Sequence, residues 1–276
     1  MSMSDTENYL KMFDLSEPPF SKELPDDQLW LPPSKQDIVN AMLDALGEHA
    51  SILLTGEPGV GKTAVLRALR HRLPDPSFRL TYCHNATLGR RDFYRQLCLA
   101  IGLAPSATAA GVFYAVASHI EQLAIERAHP VFLLDEAHLL HQDTLEHLHI
   151  LMNYEWDSRA LLSIVLVGLP ELADRLALRR NRSLYSRLHH RFVIGPLTPD
   201  DTATYVRTRL ARAGCDRELF TSDALTLLHE ATRGAMRDID RISTICLRLA
   251  ARRTRRLIER DLILRVIEHE SHEVAA

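Results

Sequence analysis

The chain has no apolar run that approaches the roughly 20 residues required to span a bilayer. Its first 15 residues are polar and acidic, without the basic and apolar regions of a signal peptide. Its four cysteines include no C-x-x-C pair, which favours reduced thiols over a disulfide framework or a zinc site. The sequence therefore predicts a cytoplasmic protein with no membrane partner.

Lysine is scarce, with four residues among the 33 basic ones, so that 29 are arginine. A coding bias toward arginine is the simplest explanation. The charge is also uneven, because residues 171–276 carry 20 basic and 15 acidic residues whereas residues 1–170 carry 13 and 21. This imbalance is compatible with a basic surface for nucleic acid on an otherwise acidic protein.

Residues 51–63 read S-I-L-L-T-G-E-P-G-V-G-K-T, an apolar run followed by G-x-x-x-x-G-K-T. The run predicts a buried parallel strand, and the glycines allow a loop whose N–H groups surround an anion at the start of a helix. Lys62 is expected to reach the β- and γ-phosphates, and the Thr63 hydroxyl to ligate Mg²⁺. The predicted nucleotide-binding residues are Gly56, Glu57, Pro58, Gly59, Val60, Gly61, Lys62, Thr63, Ala64 and Asp135. The alternative is a glycine-rich turn that binds nothing.

A second apolar run, residues 130–134, ends in Asp135 and Glu136. Asp135 is expected to hold the Mg²⁺ together with Thr63, and Glu136 to deprotonate the water that attacks the γ-phosphate. The letters D-E-A-H at 135–138 also suggest a helicase, but helicases of that kind need two such cores and this chain has room for one.

Strand and helix patterns alternate through the middle of the chain, which predicts an α/β fold with a parallel sheet between helices. The candidate strands are residues 52–55, 78–82, 131–135, 161–167 and 191–194. The candidate helices are residues 63–72, 91–101, 111–127, 144–154 and 171–178.

The two ends of the chain differ from this alternation. Residues 1–50 are rich in proline and predict an extended, ordered arm followed by a helix at 35–46. From Thr198 the pattern is wholly helical, with helices expected from Thr198 to Ala213 and over 222–232, 236–253 and 259–270. We therefore expect a lead-in segment at 1–50, a nucleotide-binding α/β core at 51–196 and a helical domain at 197–276.

Taken together, these motifs resemble the AAA+ ATPases. The matching segments are Y-L-K-M-F-D-L-S-E-P-P-F (9–20), G-E-P-G-V-G-K-T (56–63), L-L-D-E-A-H-L-L (133–140), L-V-G-L-P-E-L (166–172) and the helical tail. Within this group the chain is similar to ATPases of the general secretion pathway protein A type and to transposon-encoded target-selection ATPases of the Mu B and Tn7 C kind. The resemblance implies a P-loop AAA+ core with a five-stranded parallel sheet flanked by helices, followed by a small all-α lid domain.

Three arginines take candidate roles from this resemblance. Arg187 matches the position of the arginine finger, which contacts the γ-phosphate held by a neighbouring subunit, and Arg191 is the nearby alternative. Arg237 matches the arginine of the lid that contacts the bound nucleotide. The alternative for all three is an ordinary solvated arginine. The chain departs from the family at Leu169, where a polar residue usually helps to position the attacking water, and Ser163 lies inside the preceding strand.

In the transposon ATPases that this chain resembles, the loop and helix after the second strand face the central DNA channel. The resemblance therefore makes the segment 84–91, with Arg90 and Arg91 at the start of a helix, the candidate DNA contact. The alternative is a first helical turn with two solvated arginines. Arginine at a helix N-terminus opposes the helix dipole, so phosphate contact explains these residues better than helix stability does. The cluster at 252–256 is a second basic segment, for which a solvated loop is the simpler interpretation.

The remaining histidines and tryptophans give little evidence of function. The histidines at 138, 141, 147 and 149 do not have metal-binding spacing, and Trp30 and Trp156 are expected to pack in the core.

The leading functional hypothesis is a DNA-transposition accessory ATPase. It would bind ATP and Mg²⁺, form a ring or filament on duplex DNA without sequence preference, and recruit a transposase. The alternatives are a secretion-pathway assembly ATPase, a helicase loader, and a nucleotide switch that never hydrolyses ATP.

Overall fold

The structure is a computed structural model, and it describes residues 5–74, 76–83, 88–106 and 108–274. By internal contacts the chain divides into two compact units. The sheet unit contains Pro33–Glu57 and Lys62–Ile194. The helical unit contains the described residues of Met1–Pro32, Pro58–Gly61 and Gly195–Ala276.

A five-stranded parallel sheet forms the centre of the sheet unit. Its strands are β1 (Ile52–Gly56), β2 (Phe78–Cys83), β3 (His129–Leu134), β4 (Ser163–Gly168) and β5 (His190–Ile194). They lie in the order β2-β3-β4-β1-β5, and every residue of the three inner strands is buried. Continuous apolar runs suit strands that are covered on both faces, which is why the sequence predicted them.

Helices flank this sheet, as expected. They are α2 (Pro33–Gly47), α3 (Lys62–Arg72), α4 (Arg90–Ala100), α5 (Ala109–Ile125), α6 (Gln142–Leu151), α7 (Glu171–Ala177) and α8 (Arg182–Tyr185). The predicted α/β architecture, a five-stranded parallel sheet flanked by helices, is confirmed. The predicted strand at 131–135 differs at its end, because β3 ends at Leu134 and Asp135 lies just beyond the strand.

The helical unit contains α1 (Asp5–Phe13), α9 (Pro199–Arg212), α10 (Ser222–Thr232), α11 (Met236–Arg252) and α12 (Arg260–Val274). Helix α9 starts with a capping box, in which the Thr198 hydroxyl accepts from the Asp201 N–H and the Asp201 carboxylate accepts from the Thr198 N–H. Gly214, with φ +91°, follows the end of α9. These are the start and stop signals that the sequence indicated.

The prediction of an extended arm at the N-terminus is wrong for the first part of that segment, because Asp5–Phe13 form the helix α1. Tyr9 and Phe13 are four residues apart and lie on one face, which is buried in the core of the helical unit. The prolines begin only at Pro18, after this helix has ended. The segment 1–50 is also not one piece, since the chain passes from the helical unit to the sheet unit between Pro32 and Pro33.

A buried arginine fastens the proline-rich segment. Arg209 donates from Nε to the Pro19 carbonyl at 2.7 Å and from Nη2 to the Ser21 carbonyl at 2.6 Å. Phe20, which lies between these two residues, is 6% exposed in the same core. The Y-L-x-x-F-x-L-x-x-x-P-F opening is therefore a packing motif, because its aromatic residues complete the core of the helical unit.

Candidate nucleotide-binding site

The glycine-rich loop follows β1 directly. Gly59 and Gly61 have φ of +79° and +101°, a backbone region in which a side chain is strained. Gly56 is buried at the end of the strand, whereas Glu57, Pro58 and Thr63 are exposed. The loop therefore has the local conformation that the G-x-x-x-x-G-K-T pattern predicted.

Lys62 is the first residue of α3, and its ammonium turns back toward the preceding loop. It donates to the Gly56 carbonyl at 2.6 Å and to the Glu57 carbonyl at 3.0 Å. A cation held by neutral carbonyl oxygens will bind a phosphate more strongly, because charge-assisted hydrogen bonds are stronger than those to neutral acceptors.

Asp135 lies just past β3, which is separated from β1 by the single strand β4. Both of its carboxylate oxygens accept a hydrogen bond, one from the Tyr82 hydroxyl at 2.9 Å and one from the Glu136 N–H at 2.9 Å. Burial, followed by this contact with Asp135, raises the pKa of Tyr82 to about 12, so Tyr82 stays a neutral donor. Sequence reasoning missed Tyr82, because the contact joins residues that are distant along the chain.

Glu136 has a left-handed backbone conformation, with φ 53° and ψ 34°. Its side chain is 51% exposed, and its Oε2 lies 3.6 Å from the Nε2 of His138. The Leu169 N–H donates to the Nδ1 of His138 at 3.5 Å, which leaves the proton of a neutral ring on Nε2. Leu169 itself supplies no polar side chain, and the polar side chain beside Glu136 is that of His138 from the same D-E-A-H segment.

Within the helical unit, the loop tip contacts the start of α11. The Arg237 N–H donates to the Gly59 carbonyl at 3.3 Å, and a Cβ on Gly59 would lie 3.3 Å from the Cβ of Arg237. The φ of residue 59 therefore favours glycine, and a Cβ there would also press on the Cβ of Arg237. The backbone of Arg237 therefore lies beside the loop tip, and its role as the lid arginine stays a prediction.

Arg187 lies at the opposite end of the sheet. It lines a depression of about 370 Å³ together with Ala50, Ser51 and Leu162, which precede β1 and β4. The five residues of β1 separate this edge from Gly56 by about 16 Å at roughly 3.3 Å per residue. Arg187 donates to Asp157 at 2.6 Å and to the Ser183 carbonyl at 3.0 Å.

Arg191 was the alternative finger, and its guanidinium is engaged locally. It donates to the carbonyls of Leu188 and Tyr185, both at 3.1 Å, and its Cζ lies 3.7 Å from the centre of the Tyr185 ring. These contacts hold Arg191 against its own segment.

The two tryptophans behave differently. Trp30 is half-buried and packs on Tyr205 with ring centres 5.8 Å apart, as expected. The expectation for Trp156 is wrong, because this side chain is 99% exposed. It lies at the tip of a turn whose residues Glu155, Trp156 and Asp157 all have positive φ, a conformation that the sequence did not suggest.

The candidate DNA residues Arg90 and Arg91 are both exposed in the first turn of α4, and residues 84–87 lie outside the described part of the chain. In the basic cluster at 252–256, Arg255 pairs with Asp261 at 2.7 Å. Among the described residues, no group of three or more histidine, cysteine, aspartate or glutamate side chains could hold a metal ion, and no helix is long and apolar enough to cross a membrane.

A family model described as "AAA domain" matches residues 34–176, slightly more than half of the chain. The chain therefore belongs to the AAA domain family, and its phosphate loop and Asp135-Glu136 pair are the motifs of an AAA+ ATPase.

Individual proteins that are similar to this chain support the assignment to the AAA+ family. The chain is 34% identical over 265 residues to general secretion pathway protein A of Aeromonas hydrophila, covering 94% of this chain and 48% of that protein. The chain is thus an AAA+ protein of the general secretion pathway protein A-like group, and it spans about half the length of that relative. Two solved structures share its fold at low identity. The Cdc6p protein of Pyrobaculum aerophilum has TM-score 0.68 and 19% identity, covering 87% of this chain and 67% of that chain. The ORC1 protein of Aeropyrum pernix, solved in complex with DNA, has TM-score 0.67 and 18% identity, covering 89% and 68%.

The family implies a bound nucleotide and Mg²⁺, and the site fits both. The loop has two glycines with positive φ and an adjacent ammonium, a combination that suits an anion. The exposed Thr63 hydroxyl and the Asp135 carboxylate are oxygen ligands, which Mg²⁺ prefers.

Proposed function

We propose that this protein is an ATP-dependent DNA-binding ATPase that assembles on duplex DNA and presents that DNA to a transposase. The proposal has three parts: the nucleotide site, the contact between subunits and the DNA surface. The single observation that carries the DNA part is the position of Arg90 and Arg91, which are exposed at the N-terminus of α4.

In the nucleotide site, residues 56–64 surround the phosphates of ATP. Lys62 exchanges the carbonyls of Gly56 and Glu57 for the β- and γ-phosphate oxygens, which are stronger acceptors. Thr63 and Asp135 would hold Mg²⁺, and the Tyr82 hydroxyl keeps the Asp135 carboxylate oriented. When bound, Mg²⁺ offsets the negative charge of the phosphates.

Glu136 accepts the proton of the attacking water. His138 is the polar neighbour of Glu136, and its backbone is fixed by Arg175, which donates to the His138 carbonyl at 2.9 Å. Because Leu169 offers no side chain that could hold the water, we propose that turnover is slow until DNA or a partner protein is bound.

Arg187 completes the site of a neighbouring subunit. It lies at the edge of the sheet opposite Gly56, so the γ-phosphate that it can reach is one held by another copy. Hydrolysis then requires assembly into a ring or filament. Arg237, which contacts Gly59 at the loop tip, reports the state of the nucleotide to the helical unit.

Arg90 and Arg91 contact DNA phosphates without reading sequence. Their cationic side chains oppose the dipole of α4, so helix stability does not account for them. The position of α4 also suits ATP-dependent assembly on DNA. Helix α4 follows β2, and Tyr82 of β2 contacts Asp135, the proposed magnesium ligand. A DNA complex of the ORC1 relative, which has the same fold, supports this part of the proposal.

The test is DNA binding by the full chain with ATP and with a non-hydrolysable analogue, over a range of salt concentration. Reversing both charges with R90E and R91E should abolish binding at 0.15 M salt, while nucleotide affinity stays unchanged. The DNA affinity of the wild type should fall with salt more steeply than that of the double variant, by about two counterions per subunit. The matched control is the pair R72E and R127E, two exposed arginines that lie near the starts of β2 and β3 at the other edge of the sheet.

A second candidate function is an assembly ATPase of a secretion pathway. The observation that favours it is the 34% identity to general secretion pathway protein A, which extends over nearly all of this chain. The same binding experiment separates the two functions. ATP-dependent binding of duplex DNA that needs Arg90 and Arg91 supports the transposition function, and absence of DNA binding under every nucleotide condition contradicts it.

A further inference from the structure

The turn at residues 154–159 is closed on itself. Tyr154 and Arg159 form an antiparallel bridge across it. Inside the turn, the Glu155 carbonyl accepts from the Ser158 N–H at 3.2 Å and from the Ser158 hydroxyl at 2.6 Å. The Arg159 guanidinium pairs with the Glu155 carboxylate at 2.6 Å. The turn is therefore tightly held, although residues 155–159 are exposed.

This turn has an unfavourable backbone. Glu155, Trp156 and Asp157 have φ of 47°, 61° and 67°, a left-handed run without a glycine. Such conformations persist where the surrounding contacts fix them, and they cluster at clamps and switches. The effect of the run here is to place Trp156 entirely in solvent and to direct Asp157 onto Arg187.

We propose that this turn is a contact surface for a second copy of the chain, in which Trp156 is the anchor and Asp157 restrains Arg187 until the contact forms. The inference rests on the proposed function, in which Arg187 serves the site of a neighbouring subunit. A tryptophan that becomes buried supplies a large contact area at low entropic cost, as do the aromatic anchors of protein interfaces.

Position and charge favour a second copy as the occupant. Trp156 belongs to the same turn as Asp157, and Asp157 contacts Arg187, so whatever receives Arg187 must also approach Trp156. At the Arg187 edge, Arg191 is a second arginine, and it is exposed at the start of β5. The opposite edge of the sheet carries the exposed acidic residues Glu57 and Glu136. These complementary edges suit a head-to-tail contact, which extends into a ring or filament.

The ion pair gives the contact a regulatory consequence. Arg187 Nη2 lies 2.6 Å from Asp157 Oδ2, and Arg187 Nε is buried without a hydrogen-bond partner among the described residues. The guanidinium is thus held in place but incompletely satisfied. A neighbouring copy that binds Trp156 moves the adjacent Asp157, and the guanidinium is then free to bind the γ-phosphate of that neighbour.

The experiment uses the full chain with ATP and measures the protein concentration of half-maximal assembly by sedimentation, together with ATPase activity. W156A should raise this concentration at least tenfold without changing the ATP affinity of the unassembled chain. D157N should lower it about threefold and increase activity at low protein concentration, because an exposed ion pair restrains only weakly. The controls are Y114A, which removes another exposed aromatic residue, and D174N, which neutralises another exposed acid.

A spectroscopic readout reports the contact directly. The chain has two tryptophans, so W30F leaves Trp156 as the single reporter. Its emission should shift to shorter wavelength on ATP-dependent assembly, because the ring leaves water. Unshifted emission on assembly, wild-type assembly of W156A, or D157N that behaves like D174N would each overturn the inference. Failure of R187A and K62A subunits to complement each other would instead remove the proposed function.

Discussion

Gly234 allows the sharpest test of how the helical unit presents Arg237. The residue precedes α11 with φ +74°, and its carbonyl accepts from the Leu197 N–H at 2.9 Å. A Cβ at this position would overlap the Leu197 carbonyl oxygen and lie 2.9 Å from the Leu197 nitrogen. Both neighbours are backbone atoms, so neither can move aside as a flexible side chain would.

The cost of G234A follows from these contacts. The left-handed backbone costs a residue with a Cβ about 1 kcal/mol. If the Cβ pushes the segments at Leu197 and Gly234 apart, the hydrogen bond between them is lost at a cost of about 1 kcal/mol. The overlap that remains costs about 1 kcal/mol more. We expect a loss of about 3 kcal/mol in the free energy of unfolding. ATP affinity should also fall, because Arg237 is displaced from Gly59.

Urea unfolding of the full chain measures the stability, and equilibrium binding of a fluorescent ATP analogue measures the affinity. The matched control is G195A, in the same unit, where a Cβ would meet nothing within 4 Å. Its expected effect is neutral or a gain of up to about 1 kcal/mol. Equal stability of G234A and G195A would refute this account of the turn.

Three other substitutions test separate parts of the structure. Burial raises the pKa of Asp240 from 3.8 to about 6, so the native chain binds this proton more tightly and loses up to about 3 kcal/mol of stability as pH rises from about 4 through 6. D240N should remove that loss, seen as a gain over wild type in urea midpoint across this pH range. The exposed-site control E230Q should follow wild type, and a D240N curve parallel to wild type would contradict the assignment. E136Q should retain ATP binding but abolish turnover and stabilise the assembled state, and unchanged turnover would exclude Glu136 as the base. F13A should destabilise the protein by about 3–5 kcal/mol in thermal or urea unfolding, since Phe13 is 1% exposed, and a loss below about 1 kcal/mol would show that α1 does not complete the core.

Much of the fold could be predicted from the sequence because its signals are local. The apolar run of β1 indicates a strand covered on both faces, and the Thr198–Asp201 capping box marks the start of α9 through contacts three residues apart. The phosphate loop is predictable for the same reason, since Gly59 and Gly61 are needed for the backbone of their own turn.

The errors have physical causes that local patterns do not carry. The proline content of residues 18–33 concealed the helix α1, whose stability comes from packing Phe13 on the helical unit. Trp156 points into solvent because three consecutive residues adopt a left-handed backbone, and nothing in their side chains demands this. The contacts of Tyr82 with Asp135, and of Leu169 with His138, join chain segments at the ends of different strands, so only the folded sheet reveals them.

The most direct test of the central claim, that a neighbouring subunit completes each nucleotide site, is the ATPase activity of mixed subunits. K62A removes the phosphate contact and R187A removes the finger, and each variant alone should be inactive. In a head-to-tail assembly of equal amounts, about a quarter of the sites combine an intact loop with an intact neighbouring finger. We therefore expect the mixture to recover about a quarter of wild-type activity. A mixture as inactive as its components, or an R187A protein with full activity alone, would contradict the account.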